Sequence, residues 1–330
     1  MYNYCFISSI LSGRRLELMK RYFFLIMISI SLLSILFIIS TDTSSFGEQN
    51  THLLDNSTNL NLFLLSKVFE KEIEKMSNIM ELTSHSPEFQ VLSYNNVSEQ
   101  YMNTYHGIPE NEEVEKRYIF KNVMTVSPSI AGLFFLLPNG DMYVEEPYHY
   151  QMNLTKTNFS FRDYYNGAID SGKIYMGDTI ISAASGIPIT VVAVPIFDKN
   201  NFSNTNQIKT NNNSRLIGIL GADIDFKTFD DFLKSLPLEN NERALFLDTF
   251  GNKIADSIKS NFMNESSTFS NLSSFNKAIK GLSGNTVEEL DNTTMLISYA
   301  PVKSIQNSWA LLWIKPYEGN FNSQSDTTFN

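Results

Sequence analysis

The stretch FRDYYNGAIDSGKIYMGDTIISAASGIPITVVAVPIFD, residues 161–198, and the run RLIGILGADIDF, residues 215–226, decide the fold. Ile180–Ile181 and the β-branched run Ile189–Val194, the latter bounded by Pro188 and Pro195, flank a turn at Ser185–Gly186. Two such runs around a Ser-Gly turn predict a β-hairpin. Leu216–Leu220 supplies a further strand that ends in Asp223 and Asp225. Ahead of the hairpin stand the rings and charges of Phe161, Arg162, Asp163, Tyr164 and Tyr165, then a short helical NGAID. Adjacent antiparallel strands would give a sheet with one apolar face. Arg162, Tyr164, Tyr165 and Asp223 then fall where their polar groups converge on one pocket, with Tyr175 and Asp178 as secondary members.

Working outward, Ile130–Leu136 reads as a buried strand, Pro138–Asp141 as a turn and Met142–Val144 as the returning strand. The same strand, turn and strand recur at Ala244–Leu247, Asp248–Asn252 and Lys253–Ala255, which argues for two related modules in tandem. Phe226–Leu236, with Phe226, Phe229, Phe232 and Leu233 on one face, reads as a helix at their join. The second module closes with Met295–Tyr299, a turn around Pro301 and Trp309–Ile314. It shows no charged cluster like that of the first and is expected to be a spacer. From Leu60, apolar residues at helical spacing (Leu64, Val68, Ile73, Met76, Ile79, Met80) give an amphipathic helix that stops before Pro87. Glu88–Lys116 is expected to form loops and short helices, and Tyr118–Val126 a helix. The fold class is therefore α/β (α+β): a long helix, then two modules with antiparallel sheets. The helix and first module span 60–235, the second 236–317, and 318–330 is a polar tail.

Tyr22–Ile39 carries no charge, and eighteen residues of helix rise roughly 27 Å, enough to cross a hydrocarbon core. Arg14, Arg15, Lys20 and Arg21 precede it, so residues 1–21 are expected in the cytoplasm, 22–39 in the plasma membrane, and the rest outside after a linker at 40–59. A cleaved signal peptide starting near Met19 is the competing reading, and it would make the chain secreted. Nine N-x-Ser/Thr sequons, from Asn56 to Asn292, stand in the exported part. A net charge of −10 argues against a nucleic-acid partner. The single Cys5 excludes an intrachain disulfide, and no metal or cofactor site is expected. No G-x-S-x-G, P-loop or H-E-x-x-H pattern occurs, so no catalytic residue is assigned and the chain is read as a non-enzyme.

The order FRDYY, GKIYMGD, SAASGIPITVVAVPIFD and IGILGADIDF resembles the double Cache domain, the extracytoplasmic sensor of chemoreceptors and sensor kinases. The resemblance runs from about His52 to Phe321. It implies PAS-like modules on a long helix that dimerises, the first module lying farther from the membrane and holding the ligand. In the amino-acid-binding members, an Arg and aromatic residues take the ligand's carboxylate, and a later Asp its ammonium. Arg162, Tyr165 and Asp223 match that pattern; Tyr164 stands at a Trp position and Thr157 at a Tyr position. The implied partner is a small polar metabolite (amino acid, carboxylate or amine), together with a homodimer partner and a separate signalling receptor. The chain ends at Asn330 with no output domain encoded, so two alternatives accompany this reading. One is a cell-surface interaction protein that kept the fold; the other is a remnant of a receptor.

Overall fold

The computed structural model describes residues 56–198, 215–239, 241–258, 269–317 and 328–329. The expected membrane segment 22–39 and all of the polar tail but Thr328 and Phe329 lie outside these. Among the described residues, no helix is long and apolar enough to cross a membrane.

Helix α1 (Asn56–Ser84) is the spine. Leu62, Leu65, Phe69, Ile73, Met76 and Met80 are buried at spacings of three and four, which lines them along one side of a helix. Burying each such side chain is worth about 1.5–3 kcal/mol, so this stripe outweighs any propensity term. A 3₁₀ turn at Pro87–Gln90, α2 (Glu99–Tyr105) and α3 (Val114–Val126) follow. Helix α3 begins four residues before the expected Tyr118. Its first turn was hidden because Lys116 and Arg117, which look solvent-bound, are buried. Lys116 pairs with Glu113, and Arg117 bonds Glu146 at 2.9 Å.

The first sheet contains β1 (Ile130–Leu136), β2 (Met142–Glu146), β3 (Tyr175–Met176), β4 (Ile180–Ile181), β5 (Pro188–Phe197) and β6 (Leu216–Asp225). Its order is β2-β1-β6-β5-β3, with β4 also on β5 and every pairing antiparallel. Helices α4 (Tyr148–Asn153) and α5 (Asp163–Ser171) lie in the connections. After α6 (Lys227–Lys234) comes the second sheet: β7 (Arg243–Leu247), β8 (Lys253–Asp256), β9 (Ser283–Leu290), β10 (Thr293–Lys303), β11 (Ser308–Pro316) and β12 (Thr328–Phe329), with α7 (Ser273–Ala278) ahead of β9. Its order is β12-β9-β10-β11-β7-β8. In both sheets an opening hairpin sits at one edge, the module's last long strand lies beside it, and the preceding long strand comes next. The expected two modules, each with an antiparallel sheet, are what the chain forms.

Two prolines differ from expectation. Pro301 lies inside β10 opposite Ala310, and no turn forms there. Strand β9 pairs with β10 only as far as Tyr299, so no neighbour on that side asks Pro301 for an N–H. Pro195 likewise lies within β5, beyond the last β3 partner at Ala193, and the strand runs on to Phe197.

One core, built on α1, joins the inner faces of both sheets. Phe69 meets Phe229 at 4.9 Å and Phe246 at 4.8 Å, and Trp309 meets Phe246 at 5.4 Å. Each sheet's outer face has a separate core of its own. A second tie crosses between modules near the β10–β11 turn: the Gln306 side chain accepts from Met176 N at 3.1 Å and donates to Met176 O.

Candidate functional site

The outer face of the first sheet holds a cavity of about 30 Å³, roughly the room of a single water molecule. Strand alternation sends Phe134 of β1, Glu145 of β2, Asp223 of β6 and Val191 of β5 to this face. Phe134 and Glu145 are direct cross-strand partners, as are Val191 and Asp223. The Phe134 ring lies on Gly221, where an added Cβ would come within 2.1 Å of it. Glycine is the residue that lets that ring down onto the sheet.

Arg162 and Tyr164 enter from the start of α5. Arg162 occupies the cap position with an extended backbone, φ −76° and ψ 144°. Asp163 fixes this helix end by accepting from Asp178 N at 2.6 Å. Ser182 covers another wall. It opens the tight β4–β5 connection, where its Oγ accepts from Ala184 N and Ser185 N, each at 3.2 Å, and reaches Asp223 Oδ2 at 3.4 Å.

Of the expected site residues, Arg162, Tyr164 and Asp223 are brought together around the cavity. Tyr165, Tyr175 and Asp178 are not among its lining. Tyr165 points to the β1–β2 turn and donates to Pro138 O at 2.7 Å. The Tyr175 ring is packed on Gly167, where a Cβ would stand 2.5 Å from it. Asp178 lies on the β3–β4 connection, its carboxyl raised by burial and by the charges of Asp163 and Asp248. Thr157 serves through its backbone carbonyl, which accepts from Met142 N at 2.7 Å.

Glu145 is the member that sequence reading missed. It is 2 % exposed, and its Oε2 has no hydrogen-bond partner among the described residues. Burial, the Asp223 charge and the Glu146 charge all push its carboxyl well above the usual carboxylate range. Asp223 rises from 3.8 to about 7 through burial, against smaller opposing effects of the Ser182 hydroxyl and Arg162. Tyr164 is raised by burial and by Asp223. Arg162 Nε is buried without a hydrogen bond among the described residues. The site thus offers two carboxyls, one guanidinium and aromatic walls, which suits a small ligand that carries charge.

Behind this wall the scaffold is heavily bonded. Arg117 donates to the carbonyls of Glu145 and Ile108 at 3.1 and 2.8 Å. Gln151 Oε1 accepts from Glu145 N at 3.0 Å, and its Nε2 donates to Tyr105 O and Ile108 O at 2.7 and 2.9 Å. Buried polar groups satisfied this fully hold β2 in place.

No curated protein matches the chain. Among solved structures, the ligand-binding domain of the Pseudomonas fluorescens chemoreceptor CtaA, in complex with L-isoleucine, is similar, with a TM-score of 0.54 at 12% identity. That match covers 80% of this chain and 92% of the other. The extracellular domain of a putative histidine kinase, rpHK1S-Z16, matches with a TM-score of 0.58 at 13% identity, covering 81% and 97%. The ligand-binding domain of the Pseudomonas aeruginosa PAO1 amino acid chemoreceptor PctC, in complex with GABA, gives 0.51 at 15%, covering 79% and 98%. These likenesses show the fold. The family model described as Cache domain, dCache_1, matches residues 44–322, most of the chain. The chain belongs to the dCache_1 family of Cache domains, ligand-binding sensor modules of signal transduction.

Proposed function

We propose that this chain is the extracytoplasmic, membrane-anchored part of a sensor that reversibly binds a small charged metabolite in the first module and performs no chemistry on it. One observation carries the reading. Arg162, Tyr164 and Asp223, brought by α5 and β6 from sixty residues apart in sequence, meet Glu145 at one buried cavity. Carboxyls held out of water at a single point, beside an Arg162 Nε without a hydrogen bond among the described residues, are expensive unless a partner uses them. Arg162 would hold an anionic group, Tyr164 would wall the site, and Asp223 would take a cationic group. Relatives of the same fold include domains solved with L-isoleucine, GABA and L-glutamine, so amino acids head the candidates. Occupancy would pass to a signalling partner, with a homodimer on α1 as the expected assembly.

Calorimetry of the purified full chain against amino acids, carboxylates and amines tests this. Arg162→Ala should weaken binding of an anion-bearing ligand by about 2–5 kcal/mol, since a desolvated charge loses its partner. If no compound binds, the fold has been kept for protein contacts and the sensor reading is wrong.

A further inference from the structure

The second module is an internal control for the carboxyls of the first. Register makes the comparison residue by residue. Hairpin β1–β2 pairs Phe134 with Glu145, Phe135 with Val144 and Leu136 with Met142, with a bulge before the last pair. Hairpin β7–β8 pairs Leu245 with Asp256, Phe246 with Ala255 and Leu247 with Lys253, with a bulge at the same place. Glu145 and Asp256 are therefore the same position in two copies, as are Met142 and Lys253. The next strand agrees: β1 pairs Phe134 with Gly221 and Gly132 with Asp223, while β7 pairs Leu245 with Leu312 and Arg243 with Ile314. Gly132 thus stands where the second module has Arg243, and Asp223 where it has Ile314.

In the second module the carboxylate is neutralised from within. Arg243 donates to Asp256 through Nε at 3.1 Å and Nη2 at 2.7 Å, and Lys253 Nζ donates at 3.0 Å. Burial pushes Asp256 up, but the hydrogen bonds from Arg243 and Ile258 N, the Arg243 charge and the hydrogen bond from Lys253 together outweigh it, and its carboxyl ends below the usual range. The first module lacks both cations, replaced by Gly132 and Met142, and adds a second acid, Asp223. Glu145 lines the cavity, and its Oε2 has no hydrogen-bond partner among the described residues.

Resting on the sensor reading above, we propose that Glu145 and Asp223 form a paired-carboxyl subsite that takes the ligand's ammonium group and gives up a proton to solvent. It thereby selects amino acids and amines over plain carboxylates. Two carboxyls in one desolvated space do not both ionise, so the pair holds a proton until a cation arrives. The incoming ammonium takes the place that Arg243 and Lys253 fill around Asp256; for an amine it replaces the proton, which goes to water, and the charge of the site is unchanged. The groups facing Glu145 fit this. Glu146, on the same strand, already has Arg117 at 2.9 Å. Asp223 faces it from β6, Tyr150 from α4, and Arg162 and Tyr164 from the start of α5. Among the described residues, Arg162 is the single cation of the cavity lining. One guanidinium against two carboxyls leaves room for one more positive charge.

The test titrates the full chain by calorimetry with the twenty L-amino acids and, for each, the amine and the carboxylate made by removing one charged group. Repeating it in buffers of different ionisation enthalpy counts protons. Amines should bind with release of about one proton, and their association constant should rise up to about tenfold per pH unit until the pair is fully ionised. Glu145→Gln should weaken binding at least tenfold and flatten that pH profile, with Glu145→Asp restoring the proton release. Met142→Lys, which installs the second module's cation, should abolish amine binding. If carboxylates bind and amines do not, or Glu145→Gln keeps the pH profile, the subsite is overturned and the sensor reading stands. If nothing in the panel binds, the sensor reading falls and takes the subsite with it.

Discussion

The two sheets share a strand order and a hairpin bulge, yet their outer faces are finished in opposite ways. On the second, Phe269, Leu272 and Phe275 pack down against Leu245, Leu312 and Tyr299 and leave an apolar core. On the first, the position of Leu312 is Gly221, the position of Arg243 is Gly132, and the cavity opens beside them. The sequence suggests a second module without a charged cluster. It has one, but there the Asp256 carboxylate is held by Arg243 and Lys253 inside the module. A container arises here by taking side chains away from a filled frame and leaving one carboxyl without its cations.

The comparison is open to mutation at matched positions. Asp256→Asn should show the largest effect, a loss of about 3–5 kcal/mol in denaturant unfolding, because it removes a fully buried carboxylate that holds both Arg243 and Lys253. A loss under 1 kcal/mol would mean that the cluster does not support the fold. Leu312→Ala should cost about 2–5 kcal/mol by leaving a hole in the filled face. Glu145→Gln, the counterpart of the first substitution, should lie within about 1 kcal/mol of neutral, since it replaces a carboxyl that the fold holds protonated by an amide of the same shape. Its sign depends on pH. A carboxyl raised in the fold contributes stability that is fully present below its ordinary value and fades as pH rises through the folded one. Asp223, at about 7, makes the same contribution. The wild-type chain should therefore lose stability between about pH 4 and 7 more steeply than Glu145→Gln, read as melting temperature against pH.

Much of the frame was legible because its strands are β-branched runs between turns, and repetition of one hairpin announced two modules. Strand β9, SGNTVEEL, was not legible: few of its residues are apolar, and pairing with β10 rather than burial makes it a strand. The site divides in the same manner. Arg162, Tyr164 and Asp223 are readable as unusual polar residues inside or beside apolar runs. Glu145 sits in MYVEE, which reads as a strand running out into solvent. Two adjacent acids point to opposite faces, and only the register of β2 on β1 shows that one meets Arg117 and the other the cavity. Tyr165 and Tyr175 carried the right chemistry, but the helix and strand turn them toward a turn carbonyl and a glycine.

Gln306 gives the first module's hairpin a mechanical anchorage in the second. Its amide grips the N–H and the carbonyl of Met176 together, four residues before the β4 strand that leads to Ser182. Along a strand, successive residues turn these groups to opposite edges, so a slip of one position removes both bonds at once. The hairpin can tilt about Met176 with the tether intact, but it cannot slide along β5 without letting the other module go. A slide of that wall by one residue along β5 would therefore cost the second module both bonds at once.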